Sequence, residues 1–322
     1  MLPTFTRRAA CAAIAALAAS GALAWTDKPV RMIVPAPPGG TMDVVARVLA
    51  DQLSADIGQP VLVENKPGAG GGIGVQALLA APLDGRTIML TSSNVLTEIP
   101  HVMKTGFDPI QDVRPVAVIA RSGMVLVGAP GLPAHDFKSL VTYLKANPGK
   151  TTFATYSAGT SSHYAGLILN AKAGLDMQHV PFAGSPPALS QLMANQVTIM
   201  FDGIVTSKPF ITSGKIQAYG VASKTRSPHL PNVPTLAEQG FPDLDVTNWF
   251  GVIVPSKLPV AMADKIHDAI AKAAANPKVR ERFVGAGLEI ADDVPPSALP
   301  AMVREEFDHN LAIVKAYNIK LN

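Results

Sequence analysis

Short runs rich in Val and Ile alternate along this chain with longer segments whose apolar residues recur every three or four positions. The runs at 30–34, 61–64, 87–90, 116–119, 124–127, 152–154, 197–201, 216–221 and 250–254 read as strands. Helical spacing is clearest over 41–55, 140–146, 162–173, 187–194, 261–275 and 299–316. Strands interleaved with helices in this way predict an α/β chain of parallel strands joined by crossover helices. The alternation breaks once, where 116–119 and 124–127 follow each other through only Arg121-Ser122-Gly123. That break reads as a crossing into a second domain, with the return near 245–254. One lobe is then discontinuous, residues 25–123 plus 248–322, and the other is inserted, residues 124–247.

The first 24 residues stand outside this pattern. Arg7 and Arg8 form a basic start, Cys11 to Leu23 an Ala-rich apolar stretch, and Ala22-Leu23-Ala24 a small-residue cleavage site before Trp25. They read as a signal peptide cleaved after Ala24, which predicts an exported, periplasmic protein; Arg7-Arg8 leaves Sec and twin-arginine export both open. Cys11 is the only cysteine, so the mature chain offers no disulfide and no cysteine metal site. The signal takes two of the 27 basic residues and none of the 24 acidic ones, leaving a charge of about +1 that argues against a nucleic-acid partner.

Two junctions carry candidate chemistry. After the run at 30–34 comes Pro35-Ala36-Pro37-Pro38-Gly39-Gly40-Thr41-Met42-Asp43, in which prolines fix φ, glycines free it, and a helix then begins. After 151–155 comes Tyr156-Ser157-Ala158-Gly159-Thr160-Ser161-Ser162-His163, again a strand, a turn and a helix start. Unpaired N–H groups at a helix start can seat an anion; the plainer alternative is that Thr41, Ser161 and Ser162 only cap their helices. Asp43 lies in a first helical turn and Asp202 at the end of an apolar strand, where either ligand contact or local capping is open to them. Lys and Arg are absent from 35–43, 91–94, 156–163 and 181–187, so any anion held here is held by N–H groups, hydroxyls and water.

Other motifs yield less. The glycines of 68–74 miss the dinucleotide spacing, since the third required glycine falls on Ile73 or Val75. Ser157 or Ser162 with His163 would suit an exported α/β hydrolase, but no Gly-x-Ser-x-Gly elbow surrounds Ser157. The seven histidines show no metal-ligand spacing, and no cofactor is expected.

Taken in order, several segments resemble the substrate-binding proteins of tripartite tricarboxylate transporters, the Bug family of periplasmic receptors. They are 34–43, Val63-Glu64-Asn65-Lys66-Pro67-Gly68-Ala69-Gly70-Gly71, Asp84-Gly85, 157–163, His179-Val180-Pro181-Phe182, Met200-Phe201-Asp202, 227–238 and Trp249-Phe250-Gly251. The resemblance implies a type II periplasmic-binding-protein fold, α/β with two doubly wound lobes closing on a ligand cleft. It implies a monomeric, non-catalytic receptor for a small organic acid (di- or tricarboxylate, acidic amino acid or aromatic acid) that delivers to membrane permease subunits. The ligand contacts it implies are Pro37, Gly39, Gly40, Thr41 and Asp43; Ser92 and Asn94; Tyr156, Ser157, Gly159, Thr160, Ser161, Ser162 and His163; Ala183 and Gly184; and Asp202. Three departures from the family pattern, Ala36, Met42 and Phe182-Ala183-Gly184 where Tyr-Lys-Gly is common, imply a less charged or more apolar ligand tail.

Overall fold

The computed structural model describes residues 25–292 and 294–319. The segment read above as a signal peptide lies outside them. The first strands, β1 (Val30–Val34), β2 (Val61–Asn65) and β3 (Thr87–Ser92), are parallel in the order β2-β1-β3, and the helices Thr41–Ile57 and Gly72–Leu79 connect them. Next comes β4 (Val113–Gly128), 16 residues long. Beyond it lie β5 (Thr151–Thr155), β6 (Met177–Pro181), β7 (Ile199–Gly203), β8 (Gln217–Ala222), β9 (Thr247–Pro255) and the two-residue β10 (Glu289–Ile290).

The two strands expected on either side of Arg121-Ser122-Gly123 are one strand. Those residues stay extended because they pair antiparallel with Trp249, Asn248 and Thr247 of β9. From Met124 onward the same strand changes partners, pairing with β7 on one side and β8 on the other. Thus β4 is one continuous rod with a different set of neighbours at each end. The strands are also not all parallel: β9 runs antiparallel to both β3 and β4, while β5, β6 and β7 pair parallel.

Each half buries both faces of its sheet, which is why its strands are apolar at almost every position. In the first half Met32, Leu90 and Val252 face the helices Thr41–Ile57 and Val260–Ala275, through Leu49, Leu53, Ile266 and Ile270. Their neighbours Ile33, Met89 and Ile253 point the other way, toward Val75, Leu78 and Leu299, as the two-residue repeat of a strand requires. The second half does the same: Leu126 and Phe201 pack with Leu140 and Leu169, Val127 and Met200 with Leu189 and Leu192. The last helix, Leu299–Ala316, begins in the first half's core, and its Ile313 packs on the second half.

Candidate functional site

Where β4 changes partners, a cavity of about 360 Å³ opens between the halves, with Ser122, Gly123 and Met124 in its wall. Around them stand the turns that follow β1, β2, β3, β5, β6 and β7, together with Asn248 and Phe250 of β9. The carboxyl ends of parallel strands make such crevices because each chain must there turn away into a helix.

How the chain turns decides what the cavity presents. After Val34 the prolines cannot extend the strand, Gly39 turns back at φ +81°, and Gly40 begins the helix Thr41–Ile57 from extended backbone at φ −77°, ψ 166°. Gly40 has no side chain to cap the helix, so the N–H groups of Thr41 and Met42 find no acceptor among the described residues. The start of Ile204–Thr212 behind Gly203 also lacks a side-chain cap, as does that of Ser185–Met193 behind Gly184, where Pro186 and Pro187 leave Ser185 the one N–H of the first three residues. At Ser161–Ala173 the capping position holds Thr160, which could cap, but its hydroxyl donates to Ser157 O at 2.7 Å. Four helices of nine residues or more therefore aim uncapped starts at one cavity, and Gly40, Thr160, Gly184 and Gly203 all line it.

Among the described residues no Lys, Arg, His, Asp or Glu lines it. Of the residues expected from sequence to contact ligand, Pro37, Gly40, Thr41, Ser92, Asn94, Tyr156, Ser157, Thr160, Ala183 and Gly184 form its wall. Gly39, Asp43, Gly159, Ser161, Ser162, His163 and Asp202 stand behind it, and hydrogen bonding accounts for each.

Asp43 is turned toward its own loop. Its carboxylate accepts from Gly39 N at 2.9 Å, Arg47 Nε at 3.0 Å and Asn65 Nδ2 at 2.9 Å, and the same Asn65 amide reaches Ala36 O. Burial pushes its pKa up, but those three donors outweigh it and hold the carboxyl below the usual range. Asp202 is fully buried and accepts from three hydroxyls, Ser185 at 2.5 Å, Thr206 at 2.6 Å and Ser207 at 2.7 Å, and from the backbone of Gly203. It thereby ties the starts of two bare helices, Ser185–Met193 and Ile204–Thr212, to the end of β7. Burial raises its pKa against the opposing pull of those hydroxyls.

The hydrolytic couple is absent from this geometry. Ser157 donates to Ala158 O and Ser162 to Phe201 O, so both hydroxyls are committed to backbone. His163 Nδ1 accepts from Gly159 N at 3.2 Å, which leaves its proton on Nε2, and the ring stacks on His179 at 4.0 Å between centroids. Burial drives His163 down to about 3 and His179 to about 4, far from the range a general base needs at neutral pH. Gly159 itself sits at φ +77° with Val102 against it, as a turn glycine.

Bonds between the halves run beside the cavity. Asn94 accepts from Ser92 and donates to Tyr156 OH at 3.2 Å, and Tyr164 OH donates to Glu98 O at 2.9 Å. Ser161 Oγ lies 2.7 and 2.8 Å from the two Glu98 carboxyl oxygens and 2.9 Å from Asn248 Oδ1. Burial raises Glu98 to about 8, with the Ser161 hydroxyl opposing and the nearby Glu306 adding, so the carboxyl is largely protonated at neutral pH. Glu306 is itself raised by burial and accepts from Trp249 Nε1 at 2.6 Å. In the cavity wall, the Pro37 ring of one half abuts Gly184 of the other so closely that a Cβ there would collide with it.

Sequence reasoning missed Ser122, Met124, Asn248 and Phe250, although they flank the two places where it put the crossings. It also missed Val95, Ile99, Met103 and the 67–71 turn, which look like ordinary core and loop until the halves meet.

Three solved structures share this architecture. The periplasmic binding protein BugD is 33% identical over 92% of this chain and all of that one, with a TM-score of 0.87. MatC from Rhodopseudomonas palustris, with bound malate, is 30% identical over 89% of this chain and 99% of its own, TM-score 0.82. R. palustris Rpa4515 with adipate is 27% identical over 92% of this chain and 100% of its own, TM-score 0.88. Its fold is thus the two-lobed one of periplasmic binding proteins. Since the model of the tripartite tricarboxylate transporter family receptors matches residues 45–319, the chain belongs to that receptor family, of which the Bug proteins are part.

Proposed function

We propose that this protein is an exported, non-catalytic receptor that seats the carboxylate of a small organic acid in the cavity and passes the loaded form to membrane permease subunits. The observation that carries the reading is the set of four uncapped helix starts around a cavity without a side-chain cation. Each N–H bond to a charged ligand is worth about 1.5–3 kcal/mol, so a few of them hold an anion without a guanidinium. MatC with malate and Rpa4515 with adipate support the acid class. In this reading residues 25–123 with 248–322 form one lobe and 124–247 the other, closing as a monomer with Pro37 against Gly184. Pro37, Gly40, Thr41, Ser92, Asn94, Tyr156, Ser157, Thr160, Ala183 and Gly184 touch the acid; Asp43, Asp202 and His163 position the turns that do. Residues 1–24 direct the chain to the periplasm.

A thermal-shift screen of small organic acids tests this. An acid present at 100 times its dissociation constant adds about 2.7 kcal/mol of stability and should be recovered unchanged by mass spectrometry. A screen in which no acid raises the melting temperature, or one in which the bound acid is converted, overturns the proposal.

A further inference from the structure

The walls of the cavity say more about the ligand than its bare helix starts do. Resting on the carboxylate reading above, we infer that the ligand is a monocarboxylate with an apolar body, an aromatic or medium-length aliphatic acid, and not a di- or tricarboxylate.

The starts of the helices Thr41–Ile57, Ser185–Met193 and Ile204–Thr212 lie together. A Cβ at Gly203 would stand 3.0 Å from Thr41 Oγ1, and the turn at Gly184 meets Pro37. That arrangement forms one anion pole. Another part of the wall is built by Val95, Ile99 and Met103 against the glycines of the 68–71 turn: a Cβ at Gly71 would stand 3.0 Å from Val95, and one at Gly70 would stand 2.6 Å from Ile99 and 3.4 Å from Met103 Sδ. Met42, Phe182 and Phe250 add further apolar surface.

A second carboxylate would need its own donors: the remaining uncapped start, that of Ser161–Ala173, meets the Glu98 carboxyl through Ser161, and most polar side chains of the cavity have already spent theirs. Ser122 donates to Gly123 O, Ser157 to Ala158 O, Thr160 to Ser157 O, Ser185 to Asp202, and Ser92 to Asn94, whose amide goes to Tyr156. A carboxylate laid on Val95, Ile99 and Met103 would lose its water with no cation to compensate, a cost far above that of placing a ring or methylene chain there. Apolar surface buried against that wall instead contributes about 25 cal/mol per Å².

The test is calorimetry on the purified protein with three sets of compounds: benzoate, phenylacetate and hexanoate; malate, adipate and citrate; and benzamide, the neutral match of benzoate. At least one monocarboxylate should bind tenfold or more tighter than every member of the second set, and benzamide tenfold or more weaker than benzoate. Tighter binding of adipate, malate or citrate overturns the inference and leaves the carboxylate reading standing. Binding of benzamide as tight as benzoate overturns both, as does binding by none of the acids. Met103→Arg, a half-buried position that admits a longer side chain, should move the adipate-to-hexanoate affinity ratio at least tenfold toward adipate; a folded variant with an unchanged ratio removes the body of the ligand from that wall.

Discussion

The helices Phe137–Ala146 and Thr41–Ile57 meet the same physical demand in opposite ways. At the first, exposed on the surface, Asp136 accepts from Ser139 N at 2.7 Å and the Ser139 hydroxyl lies 3.1 Å from Asp136 N in return, a closed capping box. The helix Pro277–Ala286 is capped likewise, by Asn276 accepting from Lys278 N at 2.9 Å. At the second, glycine occupies the cap and the N–H groups face a cavity. At these two exposed starts the protein bonds the helix to its own side chains, and at the cavity the start is left open. Glycine makes this cheap, since replacing a good cap by Gly costs only a few tenths of a kcal/mol.

The largest way to break that contrast is to cap the bare start. Gly40 has the φ and ψ of an ordinary cap residue and room for a Cβ, with only Pro37 O at 3.5 Å. Gly40→Asp should therefore fold with an unchanged or higher ligand-free melting temperature, while acid affinity falls at least about 100-fold, roughly 2.7 kcal/mol. Calorimetry that finds the affinity intact would separate the Thr41 start from the site. Gly159, at φ +77° against Val102, is a poor partner for this experiment because any side chain strains the turn itself.

Removing the anchor of two bare starts comes next. Asp202→Ala leaves the Ser185 and Ser207 hydroxyls without their acceptor and Thr206 with Gly203 O alone, and urea unfolding should show a loss of about 2–3 kcal/mol together with weaker acid binding. Parent-like stability would mean that those hydroxyls find equal partners elsewhere.

A third pair of effects comes from buried groups behind the bare starts, and the signs oppose. His163 and His179 are held neutral, at about 3 and about 4, below an ordinary 6.5. Between those values the unfolded chain binds protons that the folded one refuses, so stability falls as pH drops below 6.5, on the order of 1–2 kcal/mol per ring by pH 5. Glu98 at about 8 against an ordinary 4.5 works the other way: the folded chain holds the additional proton, and the contribution, complete below 4.5, is lost as pH rises toward 8. Glu98→Gln should remove the fall in stability between about pH 4.5 and 8 and leave the slope below 4.5 unchanged; a curve that keeps its fall over that range would assign it to another group.

On the capped side the effects are smaller. Asp136→Ala should lower the melting temperature through loss of the cap and leave acid affinity within about twofold. Smallest of all, with no cation in the cavity wall, affinity should change less than about threefold between low and physiological salt, because short contacts in a closed site are poorly screened. A steep salt dependence in a titration series would place the anion on a basic surface instead.

Local chemistry was legible from the chain alone where a single segment determined it. The prolines and glycines of 35–40 announced a turn and a helix start, and β1 and the last helix have the bounds that periodicity assigned them. Elements whose existence depends on neighbours were not legible. β6 contains Gln178, His179 and a terminal Pro181 and is a strand only because β5 lies alongside it. The helix Ile204–Thr212 carries Pro209 yet persists where Asp202 holds its first turn. Arg121-Ser122-Gly123 looks like a turn until β9 pairs with it. The two acids show the same limit at the site, because Asp43 is turned inward by Asn65, 22 residues on, and Asp202 by Ser185, 17 residues back.

Main-chain N–H groups have one further property: they are the same in every residue but proline. A grip made of them is not encoded in any side chain, so exchanges among the apolar side chains of the walls leave it in place. Met42, Val95, Met103 and Phe182 can then drift, each exchange altering which molecular body fits, without passing through a form that has lost its hold on anions. Such a scaffold changes its diet by small steps, and the history of what it has bound is written in its walls.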